Sequence, residues 1–390
     1  MSKKKQKRVA IILQLWQNYD RGILQGIAAY VREHRTWSVF VEEDEHQRIP
    51  IMNEWDGDGL IVNFDSQRVA KAIQRINKPI VGLGGGYGWH SLRSSVPYIA
   101  TDDLSIGKLA AEHLLECGLK HFAFCGYSPT RTNGWVAGRA RAFIERLASQ
   151  GHRCYIFKGH HTAPEHWERL QAELIAWLRK LPTPVGIMGC YDYRARHVLE
   201  ACKAAGIRVP EEVAVIGVDN DAVCELADPP LSSIGQGRFQ IGYTAAHLLD
   251  EMMAGRKPRQ KKIVIPPVGV FSRQSTDLLC VADHKVSHAL RIVREQACGR
   301  LQAEDVAHQL KISRSTLDKR FKRSIGRTVD REIRRVRLTR ATELLARTNL
   351  PLRNVARESG YGNEQYLSAV MRAAFHCTPM QYRYKHDGRQ

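Results

Sequence analysis

The 390-residue sequence lacks the patterns that mark membrane, exported or metal-binding proteins. No apolar run approaches the roughly 20 residues that a membrane-spanning helix needs. The nine cysteines form no C-x-x-C pair and no metal-ligand spacing, which favours buried, reduced thiols in a cytoplasmic protein. A basic start precedes a short apolar run with no small-residue cleavage site after it. We therefore expect a first β-strand there rather than an export signal.

Motifs of common enzyme classes are also missing. The chain has no G-x-S-x-G nucleophile motif and no phosphate-binding P-loop. The glycine-rich stretch at 81–88 does not fit G-x-G-x-x-G, because the third glycine position falls on Trp89. His160, His161 and His166 are explained by a predicted helix start. We expect no catalytic residue, no cofactor and no metal, and we interpret 81–88 as a flexible turn near the mouth of a cleft.

Acidic residues are scarce in the last quarter of the chain. Residues 285–390 hold 23 Lys and Arg against 10 Asp and Glu, a net charge of +13. The first 284 residues hold the remaining 36 basic and 30 acidic residues, so they are almost balanced. A basic module attached to a larger, nearly neutral body indicates a polyanionic partner, most simply nucleic acid.

The first 276 residues alternate short apolar runs with amphipathic helical patterns. The predicted strands are 8–15, 37–44, 59–64, 79–85, 98–103, 121–127, 154–159, 185–190 and 213–220. Repeated alternation of strand and helix predicts parallel sheets covered on both faces. About ten such units exceed one sheet of usual size, so we expect two similar α/β lobes with a cleft between them.

Polar residues follow the carboxyl ends of these strands, where open parallel sheets bind their ligands. Neighbouring carboxylate and guanidinium groups suit the vicinal hydroxyls of a sugar. An aromatic side chain, Trp16, Trp89 or Trp135, would cover the apolar face of the ring. Helix capping or surface ion pairing explains any one of these residues alone, but their common position favours a site. The predicted sugar contacts are Asp20, Arg21, Asp102, Arg139, Asp192, Asp219 and Asn220.

Several stretches of this region resemble a known family. They are Asp102 with Gly107, EHLLECG, RARAF from Arg139, GIRVPEEVAVIGVDN and LSSIGQ. Together they resemble the effector domain of the LacI/GalR repressors, which is related to periplasmic sugar-binding proteins, over roughly 7–276. The resemblance implies that Asp102, Arg139, Asp192 and Asp219 line a sugar cleft. That family carries its DNA-binding helices ahead of the sensor, and we expect 1–7 to be too short for them.

Residues 285–386 carry helical patterns without a strand signal. The helix LQAEDVAHQL is followed by the three residues KIS and then by RSTLDKRFKRSI, with Ser313 placed to cap the second helix. One apolar stripe runs through that helix at a spacing of four residues: Leu317, Phe321 and Ile325. Two helices joined by a short turn, with exposed polar positions at the start of the second, predict a helix-turn-helix.

The same plan occurs again 50 residues later. Asn363, Leu367 and Met371 stand where Ser313, Leu317 and Phe321 stand in the first copy. Gly360 marks the turn, and Phe375 is predicted to continue the stripe. The stretch DREIRRVRLTRATELLART between the copies predicts a rigid helix. Such a helix would hold both recognition helices on one face, and a separation of about 34 Å would place them in successive major-groove turns.

Four motifs carry a second resemblance: S-x-x-x-L-x-x-x-F, R-L-x-x-A-x-x-L-L, G-Y-x-x-x-x-Y-L and T-P-x-x-Y-R. Together they resemble the AraC-type DNA-binding domain. This implies base-facing positions in both recognition helices: Ser315, Asp318, Lys319, Glu364, Gln365 and Ser368. The cationic side chains of the first recognition helix are expected to meet mostly phosphates. They are Arg314, Arg320, Lys322 and Arg323.

The sequence thus predicts an α/β two-lobed, periplasmic-binding-protein-like domain (1–276), a linker (277–284) and an all-α domain with two helix-turn-helix motifs (285–386). This order, with support from NYDRGILQGI, FVEED and TAPEHW, is similar to that of regulators of xylose use. The resemblance implies a cytoplasmic homodimer that senses D-xylose, binds double-stranded operator DNA and activates genes with RNA polymerase. Another pentose or sugar, or repression, are alternatives within this class. A carbohydrate-active enzyme and a transport-type sugar-binding protein are alternatives from other classes.

Overall fold

The chain divides into two compact units, Met1–Leu278 and Leu279–Gln390. The structure, a computed structural model, describes residues 6–15, 18–34, 37–42, 55–65, 76–84, 96–127, 134–159, 166–277, 283–348, 350–375 and 377–386. Of the predicted linker, 278–282 lie outside the described ranges. The predicted domain limits stay predictions.

Two six-stranded sheets form the first unit. The strands are β1 (Lys7–Ile12), β2 (Trp37–Glu42), β3 (Gly59–Asn63), β4 (Ile80–Leu83), β5 (Tyr98–Thr101), β6 (His121–Tyr127), β7 (Cys154–Gly159), β8 (Val185–Gly189), β9 (Val213–Val218), β10 (Ser232–Gly235), β11 (Lys262–Ile265) and β12 (Gly269–Phe271). One sheet has the order β11-β5-β4-β3-β1-β2, and the other has the order β12-β10-β9-β8-β6-β7. Their neighbouring strands are parallel, except that β12 runs antiparallel to β10.

The apolar runs form strands because helices cover both faces of each sheet, so that the strand residues are buried on both sides. Every residue of β3, β8 and β9 is buried, as expected for central parallel strands. Strands β6 and β7 match their predicted limits, whereas β1, β3, β5, β8 and β9 end one to three residues early. The residues that follow these five strands lie at the carboxyl edge of their sheet, and the predicted strand ends at 43–44 and 85 lie outside the described residues. Strands β10, β11 and β12 were not predicted.

Helices flank both sheets. They are α1 (Asn18–His34), α2 (Asp103–Glu116), α3 (Gly134–Ala148), α4 (Trp167–Leu178), α5 (Asp192–Ala204), α6 (Val223–Leu226) and α7 (Arg238–Met253), followed by a 3-10 turn (Gln274–Thr276). Gly118 and Gly206 follow α2 and α5 with φ of +78° and +69°. Glycine adopts this left-handed conformation without strain, which explains why these helices stop there.

The chain passes between the two sheets three times: from β5 to α2, from β10 to α7, and from β11 to β12. The crossings are hydrogen-bonded to one another, because Asp102 N donates to Ile265 O at 3.0 Å and Val268 N donates to Gly235 O at 2.8 Å. All three leave the carboxyl end of a strand. The carboxyl edges of both sheets therefore face the same cleft, which the crossings close on one side.

Two small apolar cores build the second unit. Its helices are α8 (His284–Gln296), α9 (Ala303–Gln309), α10 (Arg314–Ile325), α11 (Val329–Arg347), α12 (Leu352–Glu358), α13 (Glu364–Phe375) and α14 (Pro379–His386). Helix α11 contributes Val329 and Ile333 to the first core, and Ala341, Leu344 and Leu345 to the second. One long helix is thus shared between two helix-turn-helix units, α9–α10 and α12–α13.

The two helix-turn-helix units repeat the same local contacts. Ser313 Oγ accepts from Thr316 N at 3.2 Å, and Asn363 Oδ1 accepts from Tyr366 N at 2.8 Å, so each caps its recognition helix. The predicted stripe residues of both helices are buried: Leu317, Phe321, Leu367 and Met371. Phe375 was predicted to continue the second stripe, but it is 41% exposed. Its ring packs on Tyr382 of α14 instead, with 5.2 Å between the ring centres.

The two turns differ in length. Lys311 has φ of +53° and lies two residues before Ser313, whereas Gly360 has φ of +78° and lies three residues before Asn363. The second turn is therefore one residue longer than the first.

The described residues contain no helix that is both long and apolar enough to cross a membrane. The cysteines in these ranges carry free thiols, and five of them are buried: Cys125, Cys190, Cys202, Cys224 and Cys377. Burial raises the pKa of the Cys125 and Cys202 thiols to about 12. These sulfur atoms pack as small apolar groups.

We predict that Gly26→Ala destabilises the first unit. A Cβ atom at Gly26 would lie 2.0 Å from Phe239 O, because α1 and α7 cross in backbone contact. Helix propensity alone would add about 1 kcal/mol of stability, but overpacking should outweigh it and remove about 1–3 kcal/mol. The melting temperature of the variant shows whether its stability rises or falls. Gln25→Ala, at an exposed position of the same helix, is the control, and a higher melting temperature for Gly26→Ala would contradict the packing account.

Candidate functional site

A buried arginine organises the carboxyl edge of the second sheet. Arg139 on α3 is 4% exposed. It donates through Nε to Asp103 Oδ1 at 2.9 Å and through Nη1 to Cys190 O at 2.7 Å. Its guanidinium carbon lies 4.6 Å from the centre of the Trp135 ring. Burial raises the pKa of Asp103, and the charge of Arg139 opposes that rise. Arg139 therefore ties α2 and α3 to the end of β8.

The end of β9 has an unusual backbone. Asp219 and Asn220 have φ of +116° and +51°, a region that residues with a side chain rarely occupy. Gln236 Nε2 donates a short hydrogen bond to Asp219 Oδ1. Burial raises the pKa of Asp219, and Arg139 opposes the rise. Backbone strain of this kind is concentrated at ligand sites, so the end of β9 is a candidate for one.

Gln236 is a functional candidate that the sequence reasoning missed. It lies in the crossing from β10 to α7 and is 7% exposed. Its Nε2 is bound to Asp219, whereas its buried Oε1 accepts no hydrogen bond from any residue in the described ranges. A buried acceptor without a donor costs about 1–3 kcal/mol. Its signal was the stretch LSSIGQ, which contributed only to the family resemblance.

These side chains form one group, which we call the cleft cluster: Asp103, Trp135, Arg139, Asp219 and Gln236. It offers carboxylate acceptors, a guanidinium and amide, and an aromatic ring within one cleft. Such a set suits a small, neutral ligand with several hydroxyl groups and an apolar face. Of the other aromatic candidates, Trp16 and Trp89 lie outside the described residues.

The first lobe contributes the side chains that follow β1. Asp20 is buried, and its Oδ2 accepts from Gln14 N at 2.6 Å. Arg21 is exposed and donates to Leu15 O at 2.9 Å. Burial raises the pKa of Tyr193 on α5, and the charge of Arg21 is among those that oppose it. Arg21 thus acts electrostatically on a residue of the other lobe.

Two predicted site residues accept hydrogen bonds from their own lobe. Asp102 caps α2, since its Oδ1 accepts from Ser105 N at 2.9 Å and its Oδ2 from Ser105 Oγ at 2.7 Å. Asp192 is fully buried and accepts from Asp221 N at 2.8 Å and Ser233 Oγ at 2.6 Å. Burial and the nearby charge of Asp219 raise the pKa of Asp192. Sugar contacts for both stay predictions.

Asn220 connects the cleft to the end of the first unit. Its Oδ1 accepts from Arg273 Nη2 at 2.7 Å, and Arg273 Nη1 donates to Leu231 O at 2.9 Å. Arg273 is buried and lies just before the 3-10 turn. A sugar contact of Asn220 also stays a prediction, although its backbone belongs to the strained end of β9.

The charges of α10 fall into two groups. Arg314 pairs closely with Glu304 of α9 and Asp330 of α11, and its Nε lies 3.6 Å from Asp318 Oδ2. Arg320 Nη1 donates to both carboxylate oxygens of Asp283 at 2.9 Å. The structure therefore places these two guanidinium groups against carboxylates of the same unit. Lys319, Lys322 and Arg323 are exposed.

The other residues predicted to face DNA differ in exposure. Ser315 and Gln365 are exposed, whereas Glu364 and Ser368 are half-buried. Asp318 is half-buried, and its Oδ1 accepts from Val329 N at 3.2 Å, at the start of α11. Helix α10 carries five basic residues, whereas α13 carries one, Arg372. Attraction to a polyanion is therefore concentrated on the first recognition helix.

Three family models match the chain. They are described as a XylR N-terminal domain over residues 8–104, a periplasmic binding protein-like domain over residues 111–276 and a helix-turn-helix domain over residues 306–385. The first two models cover the two lobes and the third covers both helix-turn-helix units. The three matches follow one another along the chain in the order that the fold shows.

Proteins similar over the full length point to one family. The chain is 36% identical over 381 residues to the xylose operon regulatory protein of Escherichia coli strain K12, covering 97% of each chain. It is 34% identical over 378 residues to that of Haemophilus influenzae strain ATCC 51907, covering 96% of this chain and 98% of the relative. A solved structure described as the xylose-binding transcription activator xylR superposes with a TM-score of 0.76 at 35% identity, covering 98% and 99%. The chain belongs to the family of xylose operon regulatory proteins, which makes it a sugar-responsive, DNA-binding transcription regulator and not an enzyme.

Proposed function

We propose that this regulator binds D-xylose in the cleft cluster and, in the sugar-bound form, activates genes for xylose use. The observation that carries the proposal is the buried Oε1 of Gln236, which accepts no hydrogen bond from the described residues. A sugar hydroxyl would supply that donor. The choice of xylose rests on the names of the relatives and on the similar solved structure, which is described as xylose-binding.

The cleft cluster supports recognition of a pentose in three ways. Hydroxyl groups would donate to the carboxylate of Asp219 and to Gln236 Oε1, and they would accept from the guanidinium of Arg139. The half-buried indole of Trp135 offers an apolar surface to the C–H face of the ring. Asp20 and Arg21 would close on the ligand from the first lobe. Sugar binding would then shift the population from an open form to a closed form of the two lobes, which three crossings join. The size of this shift is limited by the difference between the affinities of the open and closed forms for sugar.

We propose that the second unit, which we call the reader, binds double-stranded operator DNA with both recognition helices. Lys322 and Arg323, exposed on α10, would contact phosphates. Ser315, Lys319 and Gln365 are exposed and would face base edges, with Asp318, Glu364 and Ser368 beside them. Because Arg314 already pairs with carboxylates on three helices, we propose that it holds α10 in place rather than meeting DNA.

The partners follow from this role. A palindromic or repeated operator would be bound by a homodimer in the cytoplasm, where both DNA and the metabolised sugar are found. An activator would also contact RNA polymerase. Repression in place of activation, or another pentose as effector, would leave the architecture unchanged.

We predict that Asp219→Asn weakens D-xylose binding about tenfold to a hundredfold, because hydrogen bonds to a charged acceptor are worth about 1.5–3 kcal/mol. Isothermal titration of full-length protein measures the affinity. Asp228→Asn, which removes an exposed carboxylate paired with Lys203 in the same lobe, is the matched control and should bind as wild type does.

The same titration compares D-xylose, L-arabinose, D-ribose and D-glucose. Binding of D-xylose alone, or at least most tightly, supports the effector assignment. Absence of heat with all four sugars would remove the sugar assignment while leaving the regulator family intact. Loss of the basal DNA binding that is measured without sugar would indicate that Asp219→Asn has a folding defect, because a lost ligand contact removes only the sugar-dependent part of DNA binding.

We predict different salt dependences for two arginines of α10. The probe is a duplex enriched from a randomised library by wild-type protein with D-xylose present. Arg323→Ala should weaken binding to all duplexes and lower the slope of log affinity against log salt by about 1, because one phosphate contact is lost. Arg314→Ala should weaken binding and leave the slope unchanged. Equal slopes for the two variants would contradict this division of roles.

A further inference from the structure

Arg337, in the middle of α11, is bonded to the segment that leads into the first helix-turn-helix unit. Its Nε donates to Ala297 O at 2.6 Å, and its Nη2 donates to Gly299 O at 3.2 Å and to Leu301 O at 2.9 Å. These three carbonyls belong to the segment 297–301 that connects α8 to α9. A planar guanidinium bonded to three carbonyls is fixed in direction as well as in position.

The turn of the second helix-turn-helix unit rests on the same segment. Gly360 has φ of +78°. A Cβ atom there would lie 2.9 Å from Ala297 O, 2.9 Å from Cys298 Cα and 2.9 Å from Arg337 Nε. The neighbouring Tyr361 is 4% exposed and belongs to the second core. The turn before α13 thus packs directly against the segment before α9.

This contact, which we call the clamp (segment 297–301, Arg337 and Gly360), adds a second link between the two units. The first link is α11 itself, which is shared by both cores. A single long helix fixes a distance, but a helix bends and twists along its length, so the units packed on its two ends can rotate relative to one another. A second contact away from the axis removes that rotation.

We propose that the clamp fixes the rotation of α13 relative to α10, so that the protein accepts a single spacing of the two DNA half-sites. The proposal rests on the DNA binding proposed above. On B-form DNA, one extra base pair rotates the second half-site by roughly 34°. A rigid reader cannot follow that rotation, whereas a reader without the clamp can turn about α11 and keep both contacts.

The experiment measures how binding responds to inserted base pairs. The probe is the duplex enriched by full-length wild-type protein with D-xylose, together with a version carrying two extra base pairs between the footprints of the recognition helices. Wild type should bind the lengthened duplex at least about tenfold more weakly, because one set of base contacts is lost. Arg337→Ala should lose most of this penalty and bind both duplexes within about threefold of each other, because its units can rotate about α11.

Two further variants make the result specific. Arg331→Ala removes the same charge from an exposed position of the same helix and should keep the wild-type penalty. Gly360→Ala disrupts the clamp from the other side and should behave as Arg337→Ala does. Circular dichroism shows whether each variant is folded, and the test stands if either of them is. An unchanged penalty in the folded clamp variants, or a wild type indifferent to the insertion, would overturn the inference. Failure of wild type to enrich any duplex would instead overturn the proposed DNA binding.

Discussion

The buried guanidinium of Arg139 is the interaction on which the cleft depends. Arginine stays charged when buried, and loss of one partner of a buried ion pair costs about 3–5 kcal/mol. Arg139 meets this demand by holding Asp103 at a crossing between the lobes and the carbonyl of Cys190 at the end of β8. Its charge also acts on Asp219 at the strained end of β9. One cation therefore positions Asp103 and the end of β8 and acts electrostatically on Asp219.

The sequence predicted most of the fold because its signals are local. Apolar runs identified strands β1 to β9, and the 50-residue repeat identified both helix-turn-helix units. Strands β10, β11 and β12, of three or four residues each, were missed, and β11 pairs with a strand far away in the sequence. The exposure of Phe375 was missed for a similar reason, because helical spacing shows which residues share a face but not which neighbour covers it.

The candidate sites were predicted less completely than the fold. Strand-end position selected Arg139 and Asp219, which belong to the cleft cluster, and also Asp102 and Asp192, whose carboxylates accept hydrogen bonds from their own lobe. Sugar contacts of all four stay predictions. Gln236 was missed because an uncharged residue in a crossing has no pattern of its own. In the second unit, sequence reasoning assigned Lys319 to bases and the other four charges of α10 to phosphates. The shortest ion pairs of Arg314 and Arg320 are with carboxylates on other helices or at a helix cap, so only the three-dimensional structure separates these two residues from Lys319, Lys322 and Arg323.

This regulator carries a sugar cleft in one unit and DNA-binding helices in the other, and the central claim is that the two sites are thermodynamically coupled. Coupling in binding is reciprocal, since each ligand must change the affinity of the other by the same factor. The direct measurement is the affinity of the full-length protein for its enriched duplex with and without saturating D-xylose, together with its affinity for D-xylose with and without the duplex. The account predicts one common factor, about 5- to 150-fold, and identical duplex affinity in the presence and absence of D-xylose would contradict it.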